Sequence, residues 1–537
     1  MTETLRAADV LARRLYAAGC RFAFGMPGGE VLTLVDALEK AGIRFVLVKH
    51  ENAAGFMAEG AWHRTGAPGI LVATLGPGAL NGINSVENAR QDRVPLIVLT
   101  GCVDADLAQT YTHQVLDQPQ IFRPITKDSL TLVAGAAGVI ADKAVGIATE
   151  GRPGPVHIDV PISVANAKAE ETGVMRAVTT KMQPNVADLI AMRDALATAQ
   201  HPVLVVGLDA VNAEAGAEVL KTAELLGAPV ITTYKAKGII PETHPLSLGG
   251  AGLSPRADGI LLPLIAQADV VLAVGYDPIE MRAGWQNPWN PVRQTVIDIT
   301  AEPNHHYMHH ASHALLGDPN ACLSALTEGV EPCQTWADGE PAAIKTALTN
   351  AFAPQEEWGP SKAMTILRDA LPQDVLASAD SGAHRILLSQ IWTCEEPRAL
   401  VQSSGLCTMG CAIPLAMGME IADPGQRCVS FSGDAGFLMA AGELATAAEL
   451  GLRTIFVVFV DASLALIEMK QRQRQLPNAG VDFGHHDFAA IGRAFGGQGF
   501  TARTEEQLRA AVMDSLKEDV FSVIAVEIPK GSYDGMF

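Results

Sequence analysis

Two acids and their spacing raise the question of chemistry in this chain. Asp434 sits in Gly433-Asp434-Ala435-Gly436, directly after the apolar run "RCVSFS" and before the helical stretch "GELATAAELG". Small residues on both sides let a backbone approach a ligand closely. A carboxylate in such a turn can hold a metal, and free amides at a helix start can hold a phosphate. The next apolar run, "TIFVVFV", ends at Asp461, 27 residues after Asp434. One strand-helix-strand unit separates the two acids, so both can reach the same sheet edge. Two carboxylates and a backbone carbonyl form a hard oxygen set suited to Mg²⁺. A third acid, Glu51, follows "RFVLVK" at the start of "ENAAGFMAEGAWHRTG". Taken alone, it is an acid favoured by the helix dipole.

The elements that must position these acids form three α/β blocks. Short β-branched runs bounded by Gly or Pro ("GILVATLG", "VPLIVLTG", "PVLVVGLDA", "DVVLAVGYD", "FSVIAVEIP") read as buried parallel strands. Helical stretches lie between them. The expected fold is α/β, with three doubly wound parallel-sheet domains at 1–165, 186–330 and 355–537, joined by polar linkers. A length of 537 residues requires several cores. The formal net charge of -20 disfavours nucleic acid and anionic membranes as partners. Eight Cys are scattered without a CxxC pair, and Cys407 and Cys411 lack the companions of a zinc set. Free thiols in a reducing cytoplasm are expected. The first residues lack the apolar core of a signal peptide, and no apolar run approaches the ~18 residues of a membrane span.

The acid-bearing turn followed by a second acid resembles the diphosphate-binding signature of the thiamine diphosphate-dependent enzymes. That family has "GDG" and a later "NN"; here Ala435 replaces the third-position Gly, and Asp461 stands where Asn is usual. The resemblance implies Mg²⁺ on Asp434, Asp461 and the carbonyl of Ser463, with the diphosphate held at Gly433, Asp434, Ala435, Gly436 and Ser463. "FAFGMPGGE" and "ATLGPGALNGINSVENARQDRVPLIVLTG" resemble the family's pyrimidine-binding domain. Glu51 falls on its activating glutamate, which promotes the pyrimidine tautomer that acts as base. Pro27, Gly28 and Gly76-Pro77-Gly78 match its pocket loops. In "SSGLCTMGCAIPLAMG", Met409 matches the apolar support that bends the cofactor, and the Cys407 carbonyl the pyrimidine's hydrogen-bond acceptor. A Cys there replaces the common Gly, a change expected not to matter for a backbone contact. "DSGAHR" matches a diphosphate-side loop, with His384 in register and Ala383 in place of a Gln. In this family the pyrimidine and diphosphate domains of one site come from different subunits, which implies a homodimer or homotetramer.

Within the family, "ADVVLAVGYDPIEM" and "GVDFGHHDFAAIGRAFGGQGF" are similar to the catabolic, flavin-independent acetolactate synthases, so FAD is not expected. Ile467 falls where simple pyruvate decarboxylases carry a Glu. An apolar residue there favours carbon-carbon bond formation, and the adjacent Glu468 is expected to point elsewhere. "TYTHQVLDQPQIFRPITK" matches an active-site loop, with Gln114 near the reacting centre and His113 where synthases often have Phe. Lys127 and Arg282 are candidate contacts to an anionic group, and the cation-bearing stretch from Ser463 to Gln475 a candidate lid. The implied activity is decarboxylation of a 2-oxo acid, with pyruvate foremost, and carboligation to 2-acetolactate. The alternative is a related decarboxylase, lyase or acyltransferase acting on another small anionic 2-oxo acid or aldehyde. A non-catalytic binding module or a flavin or NAD oxidoreductase is the other class, although no GxGxxG follows any strand.

Overall fold

The structure, a computed structural model, describes residues 5–171, 180–182, 184–332 and 335–537. Cys333 and part of the stretch read as the first linker, residues 172–179 and 183, lie outside the described residues.

Three six-stranded parallel sheets account for the three blocks. The first contains β1 (Phe22–Met26), β2 (Arg44–Leu47), β3 (Gly69–Ala73), β4 (Leu96–Cys102), β5 (Asp128–Thr131) and β6 (Val156–Pro161), in the order β2-β1-β3-β4-β6-β5. The middle sheet contains β7 (Pro202–Val206), β8 (Val230–Thr233), β9 (Ser247–Ala251), β10 (Val270–Val274), β11 (Thr295–Thr300) and β12 (His313–Leu316), ordered β9-β8-β7-β10-β11-β12. The third contains β13 (Leu376–Ala379), β14 (Leu400–Gln402), β15 (Cys428–Gly433), β16 (Ile455–Val460), β17 (Gln498–Ala502) and β18 (Ser522–Glu527), ordered β14-β13-β15-β16-β18-β17. The central strands are buried from end to end, which is why they read as unbroken Val, Ile and Leu runs.

Five helices carry the argument that follows. They are α1 (Glu51–Thr65), between β2 and β3; α2 (Ile83–Gln91), between β3 and β4; α3 (Ala412–Ala422), between β14 and β15; α4 (Asp434–Ala440), after β15; and α5 (Ala465–Gln473), after β16. The His50 ring accepts a hydrogen bond from the Asn52 amide and caps the start of α1, and Gly66, left-handed at φ 71°, ends it. Residues 53–63 of α1 are all buried, because the helix is sandwiched between its own sheet and α3. The two helices approach through glycine. A Cβ on Gly60 would lie 2.3 Å from the Leu415 carbonyl oxygen, and one on Gly418 would lie 2.1 Å from that of Met57. One apolar cluster therefore runs from Phe24 and Met57 through Ile413 and Met417 to Phe437 and Phe456, joining the first and third domains.

Candidate active site

β13 leads on to a strand on one side of the third sheet, and β15 to strands on the other. The crevice between their carboxyl ends is where open α/β sheets bind ligands. Asp434 lies there, buried, as the first residue of α4. Its Oδ1 accepts from the Ala435 amide at 2.8 Å. Its Oδ2 accepts from the amides of Ala462 at 2.8 Å and Asp461 at 3.2 Å, so this carboxylate ties the ends of β15 and β16 together. Asp461 Oδ1 accepts from the Ser463 amide at 3.3 Å, while Oδ2 is buried with no hydrogen-bond partner among the described residues. Burial and the neighbouring Asp434 push the Asp461 carboxyl up to about 7. Ala462, between Asp461 and Ser463, is left-handed at φ 53°, a conformation that costs a side-chain-bearing residue roughly 1–2 kcal/mol. A divalent cation would remove the repulsion and satisfy the open oxygen. Among the described residues no three His, Cys, Asp or Glu side chains form a metal cage. The remaining ligands would have to be backbone and ligand oxygens, as Mg²⁺ commonly uses.

These acids border a cavity of about 140 Å³, with Ala435, Gly436, His384, Met409, Ile467 and Ser463 also in its wall. A Cβ on Gly436 would lie 1.9 Å from Asp380 Oδ2, so the loop after β13 sits directly against α4. The His384 ring stacks 6.1 Å from Phe459. Its Nε2 is buried without a partner among the described residues, and burial beside Arg385 holds the imidazole down to about 3. The ring that borders the cavity is therefore held neutral. Ser463 Oγ donates to Asp482 at 2.8 Å, which leaves its carbonyl as the ligand candidate. Ile467 faces the cavity, whereas Glu468 turns away and pairs with Arg472 at 2.8 Å, as the helical register requires. Arg472 also pairs with Asp534 at 2.7 Å, so it is already committed and not a free cation for a lid.

Two residues here escaped the sequence reading. Asp380 accepts from the amides of Ser381, Gly410 and Cys411, holding the loop after β13 to the turn before α3. An acid ending an apolar strand, the signal that marked Asp434 and Asp461, was present at "VLASAD" as well. Tyr533 closes the cavity from near the chain's end, and no local pattern marks it.

Cys407 is left-handed at φ 56°, the region glycine favours. The exchange of Gly for Cys is therefore not neutral for the backbone. The thiol offsets part of the cost by donating to the Ser404 carbonyl at 3.0 Å, and the Arg385 guanidinium reaches its sulfur at 3.3 Å.

The first-domain residues gather separately. Glu51 is buried at the head of α1 and accepts from Asn81 Nδ2 at 2.9 Å. A Cβ on Gly78 would lie 3.1 Å from its Oε1. Gly28, after Pro27, packs so tightly on Thr74 that a Cβ would meet its hydroxyl at 2.4 Å. Gly76, at φ 64°, is fixed by Gln118, which accepts from its amide at 2.9 Å. Gln114, left-handed at φ 57°, lies against Gly76, and the exposed His113 sets its ring edge toward Tyr111. None of these residues lines the 140 Å³ cavity, whose wall within one chain comes from residues 381–533 alone. Met409 also faces a second cavity of about 280 Å³ shared with Lys49, His50 and Asn52. Lys127 is corrected: its ammonium donates to the carbonyls of Glu150 and Arg152 and secures a turn. Arg282 is half-buried in the middle domain, beside Gly252.

Comparison with known proteins decides the family. Three models of the thiamine pyrophosphate enzymes match in order: the N-terminal TPP-binding domain over residues 5–121, the central domain over 189–326 and the C-terminal TPP-binding domain over 380–526. The chain belongs to the thiamine pyrophosphate enzyme family. Its relatives include acetolactate synthase from Bacillus subtilis (strain 168), 29% identical over 98% of this chain and 93% of that protein. The catabolic acetolactate synthase of Raoultella terrigena is 27% identical over 97% and 94%. The acetolactate synthase isozyme 1 large subunit of Escherichia coli (strain K12) is 30% identical over 97% and 93%. This family member thus resembles acetolactate synthases along its whole length, and its three parallel sheets correspond to the family's three domains.

Proposed function

We propose that the protein decarboxylates a 2-oxo acid, pyruvate foremost, and joins the remaining two-carbon unit to a second pyruvate to give 2-acetolactate, using thiamine diphosphate and Mg²⁺. The observation that carries the reading is the crevice at the switch point of the third sheet, where Asp461 keeps a buried, unbonded oxygen beside Asp434. The residues present fit the cofactor. Asp434, Asp461 and the Ser463 carbonyl would hold the metal, and the start of α4 with neutral His384 would receive the diphosphate. The turn bearing Cys407 and Met409 would support the pyrimidine end. When bound, the cofactor supplies an electron sink that lets a 2-oxo acid lose carbon dioxide.

The chain's own groups do the rest. Glu51, delivered by a second copy of the chain, exchanges a proton with the pyrimidine end. That assembly is supported by the cavity wall, to which the chain's own Glu51 does not contribute. Ile467 offers no proton where the two-carbon unit forms, which favours bond formation to a second carbonyl. Flavin has no part in this reading.

Incubation with pyruvate, thiamine diphosphate and Mg²⁺ should release carbon dioxide and acetolactate in equal amounts. Acetaldehyde in place of acetolactate would overturn the argument from Ile467. Glu51→Gln should retain cofactor binding while losing at least ~100-fold in kcat; full activity in that variant would remove Glu51 from the mechanism.

A further inference from the structure

The turn before α3 is held from the first domain by one face of α2. Asn84, Asn88 and Asp92 recur every four residues and so share that face. Thr408 Oγ1 donates to Asn84 at 3.1 Å. Ser403 Oγ donates to Asn88 at 2.6 Å and accepts from the Thr408 amide at 2.9 Å. Asp92, fully buried, accepts from the Gly405 amide at 2.8 Å and the Ser404 amide at 3.3 Å. A Cβ on Gly405 would lie 2.7 Å from Gln91, so the turn is seated directly on the end of α2.

Asp92 is a costly residue for that seat. It caps the carboxyl end of α2, where the helix dipole disfavours negative charge. Burial raises its carboxyl further. The offset comes from the middle domain: Lys235 Nζ stands 3.0 Å from Asp92 Oδ2, and both side chains are nearly inaccessible. One carboxylate therefore joins all three domains, and what it grips is the segment leading to Cys407 and Met409. Asn88 adds a second grip and also bonds Glu59 at 3.0 Å.

We propose that Asp92, neutralised by Lys235, is a positioning residue that sets the 403–409 turn so that the Cys407 carbonyl and the Met409 side chain meet the pyrimidine end of the cofactor. This rests on the cofactor placement proposed above. It also separates the two ends of the site. The diphosphate end depends on Asp434, Asp461 and α4, which Asp92 does not touch.

The test compares two ligands on the full chain: thiamine diphosphate with Mg²⁺, and inorganic diphosphate with Mg²⁺. Asp92→Ala combined with Lys235→Met removes the grip together with the ammonium that faces it. It should weaken thiamine diphosphate binding by about tenfold or more and leave inorganic diphosphate within about twofold, a loss of one to two buried hydrogen bonds at one end only. Asp92→Asn combined with Lys235→Met keeps an oxygen for the Gly405 amide and should recover most of the loss. Equal loss of both ligands, or no recovery with Asn, would reduce Asp92 to a general structural role and overturn the inference. Unchanged thiamine diphosphate binding in the Ala variant would do the same. Failure of the unmodified protein to bind thiamine diphosphate at all would instead sink the cofactor reading itself.

Discussion

Asp461 Oδ2 is a single buried atom without a partner among the described residues, and the proposed metal would bind there. Asp461→Asn keeps an oxygen ligand and removes the repulsion with Asp434, so activity should persist at a raised Mg²⁺ requirement. Asp461→Ala, which removes the oxygen, should lose activity at any Mg²⁺ concentration tested. Equal behaviour of the two variants in a Mg²⁺ titration would remove Asp461 from the metal shell. His384 gives a separate test through pH. Its imidazole is held at about 3 in the fold against 6.5 ordinarily. The unfolded chain therefore binds one more proton below pH 6.5, and stability falls as pH drops from 6.5 toward 3, by up to about 1.4 kcal/mol per pH unit. His384→Asn should flatten part of the decline in Tm between pH 7 and pH 5; identical slopes would mean that the ring is not held neutral. At this scale the acids were legible because an acid ending an apolar strand is a local pattern. Asp92 and Lys235 were not, because their partnership spans the first and middle domains and leaves no mark on either neighbourhood.

α4 is short, yet in the proposed site its placement governs whether an anion can be received. Gly436 brings it within contact of Asp380, whose carboxylate in turn holds the turn before α3. Gly436→Ala drives a methyl group into that carboxylate. The variant should fold, because the change is confined to one end of one sheet, and should lose thiamine diphosphate affinity by about 100-fold or more, in keeping with a buried steric conflict of several kcal/mol. Unchanged affinity in a calorimetric titration would show that α4 can shift without harm. The strands themselves were readable from composition, since a strand buried on both faces has little choice but Val, Ile and Leu. Their order was not. That β13 comes to lie between β14 and β15 depends on helix packing tens of residues away, and the crevice exists only through that order. The cations of the 463–475 stretch show the same limit: the sequence counts charges, but only the fold reveals that Arg472 is spent on Glu468 and Asp534.

Across the whole molecule, the first and third domains share a core, yet the cavity wall excludes the chain's own Glu51. If a second copy supplies that acid, inactive chains should complement one another. Glu51→Gln mixed with Asp434→Ala and allowed to exchange subunits would form mixed pairs with one intact site, restoring up to about a quarter of normal activity. Sites built within one chain would each keep a lesion, and the mixture would stay dead. Domain number and fold class were open to sequence reasoning because each block repeats the strand-helix rhythm; how the blocks face one another was not, because the Gly60 and Gly418 contact is between residues some 360 positions apart. That contact has a wider consequence. The first and third sheets run in the same order, strand for strand, and α1 and α3 follow the second strand of each. Exchanging the first and third sheets thus maps one strand order onto the other, with α1 and α3 trading places. Under that exchange the head of α1, where Glu51 sits, corresponds to the head of α3, just beyond Met409. In the proposed mechanism one address holds an acid that handles a proton and the other an apolar support. The first and third domains read as one module written twice, which the proposed mechanism divides between two tasks.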